Sequence, residues 1–144
     1  MFYGYEVTGN IRPISKEYKG INSPNELYDV LMKIFSADTC TTRLRHIWSK
    51  DNPTCGQCSI TALLVQDIFG GKVYEMDSPG GSIHSFNEVN GIVFDLTSEQ
   101  FGDKVSELDY SLVSIQARNM RLKNKEKLER YELLKRLVKE YCNQ

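Results

Sequence analysis

Histidine is scarce in this chain: 144 residues contain two, His46 and His84. Chemistry that needs an imidazole must run through one of them. Long apolar runs are absent, and no stretch approaches the roughly 18 residues of a membrane span. The beginning of the chain also lacks the basic start and apolar segment of a secretory signal. A cytoplasmic protein without a membrane partner is the expectation. Charge of one sign is missing too: 18 Lys and Arg face 19 Asp and Glu, for a formal charge of -1 and a pI near 6.1. Net charge therefore gives no global attraction to nucleic acid or to an anionic surface. Cysteine is limited to Cys40, Cys55, Cys58 and Cys142. Without a secretory signal, these argue against a disulfide framework.

What is present suffices for one ordinary core, at 40% hydrophobic and 26% charged. A single domain over 1–144 is expected, with an arm or short strand at 1–20, a core at 21–101 and a helical region at 102–144. Ser23-Pro24-Asn25-Glu26 is a helix start, with a capping Ser, a Pro in the first turn and a Glu that completes a capping box. Leu27, Val30, Leu31 and Ile34 then form an apolar stripe. A second helix is predicted from about Thr41 to Ser49, with His46 facing solvent and Trp48 packed beside the site. Cys58 to Phe69 is apolar around most of its circumference and stops at Gly70-Gly71, which predicts a central buried helix. Lys72 to Met76 reads as a strand. Ile83–Val89 and Ile92–Asp95 flank Asn90-Gly91, the dipeptide that suits a type I′ hairpin turn. Thr97 to Gln100 starts a helical turn, and Lys125 to Tyr141 carries an amphipathic stripe.

The hairpin sets a register that bears on chemistry. Two turn residues put Val89 opposite Ile92, Glu88 opposite Val93, Asn87 opposite Phe94 and Phe86 opposite Asp95. His84 and Asp95 then lie one diagonal apart on the same face, within side-chain reach. Moving either by one residue would separate them. Cys58 opens a helix, where the positive end of the helix dipole favours a thiolate. A thiolate, an imidazole to hold its proton and a carboxylate to orient the imidazole make a thiol acyl-transfer site. The helix of Cys58 is expected on the face that carries His84.

Other readings use the same residues. Cys55-Gly56-Gln57-Cys58 has the C-x-x-C spacing of dithiol redox proteins and of half a zinc site, but a thioredoxin-like βαβ context and a second ligand pair are missing. Cys40 and Cys142 read as packing residues on helices. Between Arg118 and Glu140 lie nine Lys or Arg and four Glu, a solvated helix face or a docking surface for an acidic partner. Nucleic acid is the less favoured partner.

Asp51-Asn52-Pro53, Gly56-Gln57-Cys58, Thr61-Ala62-Leu63, Val65-Gln66-Asp67-Ile68-Phe69-Gly70-Gly71 and Asp95-Leu96-Thr97 with Gln100-Phe101 resemble the signature of the small bacterial YunG-like family. The resemblance spans about Trp48 to Phe101 and leaves Met1 to Gly20 and Cys55 without counterparts. That family has no assigned function, but its pattern is similar to papain-like and transglutaminase-like cysteine enzymes. The resemblance implies Cys58 as nucleophile, His84 as base and Asp95 as orienting carboxylate. In one departure, Ser85 follows the histidine where an aromatic is expected, with Phe86 next. It also implies an oxyanion site with an upstream amide donor, for which Asn52 and Gln57 are the candidates.

The expected fold is α+β: N-terminal helices, a Cys-bearing central helix on a small antiparallel sheet, and a closing C-terminal helix, similar to a minimal papain-like core. The expected function is a Cys-His-Asp thiol hydrolase or acyltransferase acting on a peptide, amide or thioester substrate, with no cofactor and no metal. The alternatives are a catalytically silent papain-like binding or regulatory module, a C-x-x-C redox protein and a zinc protein.

Overall fold

A computed structural model describes residues 1–111, 114–115 and 122–144. It has a mixed α+β architecture, with three helices (α1 to α3) and a small antiparallel sheet of three main strands and one two-residue strand (β1 to β4). Helix α1, Pro24–Ile34, begins where the Ser23 hydroxyl accepts the Glu26 amide at 3.3 Å. The reciprocal half of the capping box is displaced by one residue, because the Glu26 carboxylate takes the Asn22 amide instead. Leu27 and Leu31 are fully buried on the inner face of α1.

Helix α2, Cys58–Phe69, forms the centre of the molecule. Ile60, Leu63, Leu64, Val65 and Ile68 are completely excluded from solvent, each such burial contributing about 1.5 to 3 kcal/mol. One side meets helix α3, Lys125–Cys142, where the Tyr131 hydroxyl donates to the Leu63 carbonyl at 3.4 Å. Another side meets the sheet, where the Asn87 amide donates to the Ala62 carbonyl at 2.9 Å. The helix stops at Gly70 (φ 81°), and the next residue, Gly71 (φ 76°), passes so close to the sheet that a Cβ there would lie 2.2 Å from the Glu88 carbonyl oxygen. Only glycine permits that approach.

The sheet contains β1 (Lys72–Asp77), β2 (Ile83–Val89), β3 (Ile92–Phe94) and β4 (Ser114–Ile115), in the order β3-β2-β1-β4. Asn90 (φ 54°) and Gly91 (φ 79°) supply the two positive φ angles of the hairpin turn. The pairs Val89–Ile92, Glu88–Val93 and Asn87–Phe94 match the sequence register. The ladder ends there: Asp95 pairs with the arm, and its amide donates to the Tyr3 carbonyl at 3.0 Å. Strand β4 was not anticipated. With only two residues, it carries too little alternation to read.

The arm contributes one bridge residue, Tyr3, and a 3-10 turn, Tyr5–Val7. Two expectations require correction. The segment before Trp48 forms a 3-10 helix, Thr42–Ile47, instead of an α-helix. The body of α2 covers the face of β2 opposite His84. Asn87 reaches α2, and the unbroken β1–β2 register places its side chain on the alternate face from His84. After Asp95, a 3-10 segment, Ser98–Glu107, is kinked at Gly102.

Helix α3 is capped by Asn124, whose side chain accepts the Lys127 amide at 3.0 Å. Its basic residues are largely matched by acids: Lys135 with Glu132 at 3.1 Å, Arg136 with Glu140 at 3.3 Å, and Lys139 with Glu17 at 3.4 Å. Arg118 and Arg121 of the basic run lie outside the described residues. Among the described residues, no helix is long and apolar enough to cross a membrane.

Candidate active site

Cys58 is the first residue of α2 and half-buried. The preceding chain turns through Gly56 (φ 69°), packed so tightly that a Cβ would lie 2.4 Å from the Cys40 sulfur. Gln57, at the N-cap, gives no side-chain cap. The positive end of the α2 dipole lies beside the sulfur.

His84 reaches toward Cys58 from the alternate face of β2, and its buried Nδ1 makes no hydrogen bond among the described residues. The imidazole is 1% exposed, and its Nε2 lies 2.5 Å from Asp95 Oδ2. With Nε2 committed to the carboxylate, Nδ1 is the nitrogen left for the thiol. Asp95, equally buried, accepts three further hydrogen bonds. The Tyr110 hydroxyl donates to Oδ2 at 2.7 Å, while the Thr97 amide and hydroxyl donate to Oδ1 at 3.1 and 3.3 Å. Four donors fix both oxygens, so the carboxylate can neither rotate nor leave the ring.

Burial pushes the Cys58 thiol up, but the neighbouring His84 imidazole, helped by the Ser85 amide, outweighs it and holds the thiol below its ordinary value. For His84, burial works against the charged form, while the charge and hydrogen bond of Asp95, followed by the nearby thiol, raise it to about 10. Both shifts run toward a thiolate–imidazolium pair. Burial acts alone on Cys142 and dominates at Cys55 and Cys40, raising all three and bringing Cys40 to about 11. Cys58 is the one cysteine of four whose environment favours the thiolate.

The other sequence candidates lie apart from this cluster. The Gln57 amide is completely buried and donates to the Ser36 carbonyl at 3.1 Å. The Asn52 amide donates to the Gln100 carbonyl at 3.2 Å. Both amides have backbone partners, and neither side chain lines the cleft at Cys58. His46 is exposed, and the Trp48 indole donates to the Pro53 carbonyl at 2.9 Å, away from that cleft. Cys55 interacts with Cys40 in place of Cys58, so the C-x-x-C spacing does not pair its own two sulfurs. Cys40 lies in a turn, whereas Cys142 ends α3. Among the described residues, no group of three or more His, Cys, Asp and Glu is placed to hold a metal ion.

Two contributors escaped the sequence reading. Tyr110 stacks on Tyr3 (4.1 Å between centroids) and meets Phe86 edge-on (4.9 Å). Burial, then the charge and hydrogen bond of Asp95, keep its hydroxyl protonated far above neutrality, so it remains a donor. Phe101 stands edge-on to His84 at 4.8 Å, supplying from a later segment the aromatic that Ser85 does not. Its position in Gln100-Phe101 was visible, but its partner was not. Cys58 and His84 open into a cleft of about 260 Å³ bounded by the Thr42–Ile47 turn, the start of β2, Phe101 and the start of α3.

The geometry defines an α+β protein with a buried Cys-His-Asp cluster at the mouth of a small cleft. The family described as YunG protein matches residues 23–143, and the chain belongs to that family. It is similar to the uncharacterized protein YunG of Bacillus subtilis (strain 168), with 48% identity over 54 residues. That stretch covers 38% of this chain and 46% of the relative, less than half of either. No solved structure matches the chain.

Proposed function

We propose that the protein is a cysteine-dependent acyl hydrolase or acyltransferase acting on an amide or thioester. The observation that carries this reading is the contrast among the four thiols: burial raises three, while a buried imidazole held by a carboxylate lowers Cys58. In the first step the Cys58 thiolate attacks the carbonyl carbon, and the carbonyl electron pair moves to oxygen. The Cys58 amide, at the start of α2, is a natural donor to that oxyanion. Collapse expels the amine or thiol, which takes the proton from His84 Nδ1, leaving a thioester on Cys58. Water or an amine then attacks the thioester, gives its proton to His84 and releases the thiolate. Asp95 holds the ring in one orientation throughout and stabilises its charged form. A central helix with the nucleophile at its start, followed by strands supplying His and Asp, favours a papain-like arrangement as the finer description.

Alkylation by iodoacetamide at pH 7, read by peptide mass spectrometry, tests the reading. Cys58 should react at least about tenfold faster than Cys142, with His84→Ala removing the difference. Equal rates at both thiols in the wild type would overturn the proposal.

A further inference from the structure

Three of the four hydrogen bonds to Asp95 are enough to orient it. The Thr97 amide and hydroxyl secure Oδ1 at 3.1 and 3.3 Å, and His84 Nε2 secures Oδ2 at 2.5 Å, so both oxygens of a planar group are already engaged. The Tyr110 hydroxyl is the additional donor. It comes from a segment fifteen residues further along the chain and reaches the oxygen that the imidazole uses, Oδ2, at 2.7 Å. Its ring is clamped between Tyr3, stacked at 4.1 Å, and Phe86, edge-on at 4.9 Å. Tyr3 is tied at both backbone groups, its amide donating to Ser98 Oγ at 2.9 Å and its carbonyl accepting the Asp95 amide at 3.0 Å. Phe86 follows His84 by two residues on β2, so these rings pack on the His84 face, which the body of α2 does not cover.

A carboxylate oxygen that accepts a second donor shares its charge between the two, and its attraction for an imidazolium falls accordingly. Resting on the acyl-transfer reading above, we propose that Tyr110 is a positioning residue that acts through Asp95 Oδ2, loosening the hold of the carboxylate on the His84 proton, which the imidazolium must pass to the leaving group. His84 is already raised to about 10, and a proton held more tightly would be passed on more slowly. Tyr110 keeps its own proton far above neutrality, through burial and then the charge and hydrogen bond of Asp95, so the sharing persists over the range in which the site would work. Cys58 and Asp95 are the ionisable groups that act on His84, and Asp95 and Tyr3 those that act on Tyr110. Strand β1 sets the neutral Met76 opposite His84 and Tyr74 opposite Phe86, while Arg43, Glu126, Lys127 and Arg130 line the cleft in front of the ring. All of these remain when the Tyr110 hydroxyl alone is removed.

Tyr110→Phe makes that change and keeps both ring contacts. Nuclear magnetic resonance of isotope-labelled histidine follows the titration of His84 in a Cys58→Ser background, where loss of the thiol's contribution brings the midpoint below that of the wild type. His46→Gln assigns the other signal. Tyr110→Phe should raise the midpoint by about half to one pH unit, a roughly three- to tenfold tighter hold on the proton. Tyr74→Phe removes a hydroxyl that donates to Glu88 at 3.3 Å on the same face of the sheet, and should leave the midpoint within about 0.2 unit. A ring-fluorinated tyrosine at position 110, a stronger donor of nearly the same shape, should lower the midpoint, which keeps the test decisive if Tyr110→Phe does not fold. An unmoved or lowered midpoint in Tyr110→Phe would overturn the proposal, as would an equal rise in Tyr74→Phe or a fluorinated ring without effect. Failure of the two readings is distinguishable, because the titration is read at His84 without the thiol: equal iodoacetamide labelling of Cys58 and Cys142 overturns the acyl-transfer reading, whereas an unmoved midpoint overturns the role of Tyr110.

Discussion

Replacing Asp95 with Asn tests whether the carboxylate orients His84 or merely fills space. The change is nearly isosteric, but it replaces an acceptor pair by one acceptor and one donor group. Oδ1 receives the Thr97 amide and hydroxyl, so the Asn oxygen would stay there. Its NH2 group would then face His84 Nε2, which lies 2.5 Å from the present Oδ2, and the Tyr110 hydroxyl at 2.7 Å. Three donors cannot share that space. The ring would relieve the conflict by moving its proton to Nδ1, where it faces the thiol and no longer accepts a proton from it. The loss of one charge-assisted hydrogen bond amounts to about 1.5 to 3 kcal/mol. At about 1.4 kcal/mol per factor of ten, alkylation of Cys58 at pH 7 should slow by roughly ten- to hundredfold. Stability should fall by about 3 kcal/mol, because the stranded donors are buried. The assay is the initial rate of iodoacetamide labelling at Cys58, at a temperature where circular dichroism shows the variant folded. A rate within twofold of wild type, with the same pH profile, would refute the orienting role.

Two further outcomes follow from the site and the fold. His84 is raised from 6.5 to about 10 on folding, so its contribution is complete below 6.5 and is lost as pH rises through 10; Cys58 is lowered from 9.0, so its contribution is present above 9.0 and is lost as pH falls through its folded value. Relative to a Cys58→Ala/His84→Ala double variant, stability should decline above pH 9, where the unfolded thiol has lost its proton and the folded imidazolium still holds one, by about 1.4 kcal/mol per pH unit until the imidazolium titrates near 10. Urea unfolding across that range checks it, and a difference that rises above pH 9 would contradict the thiolate–imidazolium pair. Separately, Gly71→Ala should destabilise by about 2 to 3 kcal/mol because its φ is 76° and the added carbon meets the Glu88 carbonyl, whereas Gly80→Ala, with open space around it, should stay within about 0.5 kcal/mol. Equal melting temperatures for the two would show that the α2–β1 turn relaxes freely.

The parts legible in the sequence share one property: local chemistry decides them. Asn90-Gly91 requires two positive φ angles, which fixes the hairpin register and hence the shared side of His84 and Asp95. Cys58 to Phe69 is apolar on so many sides that the boundaries of α2 could be read from where that pattern and Gly70 end it. The unreadable parts depend on distant partners. Tyr110 sits in a segment with no periodicity, and its role exists only because the chain brings its hydroxyl back to a carboxylate fifteen positions earlier. Asn52 and Gln57 have the right side chains for oxyanion donors, but the carbonyls of Gln100 and Ser36 take their amides. The placement of α2 opposite the His84 face was likewise undetermined, since the small buried sequence set Ser85, Asn87 and Val89 looks no more like a helix-covered surface than His84 and Phe86.

The backbone bond from Asp95 to Tyr3, with the stacking of Tyr3 on Tyr110, couples the first turn of the chain to the carboxylate. Detachment of that short arm would unclamp two of the groups around the carboxylate at once, without touching the sulfur or the ring. Fraying of that arm would therefore be felt as a loss of reactivity at a residue more than a third of the polypeptide away, and a bulky fusion placed there would report on the fusion as much as on the protein.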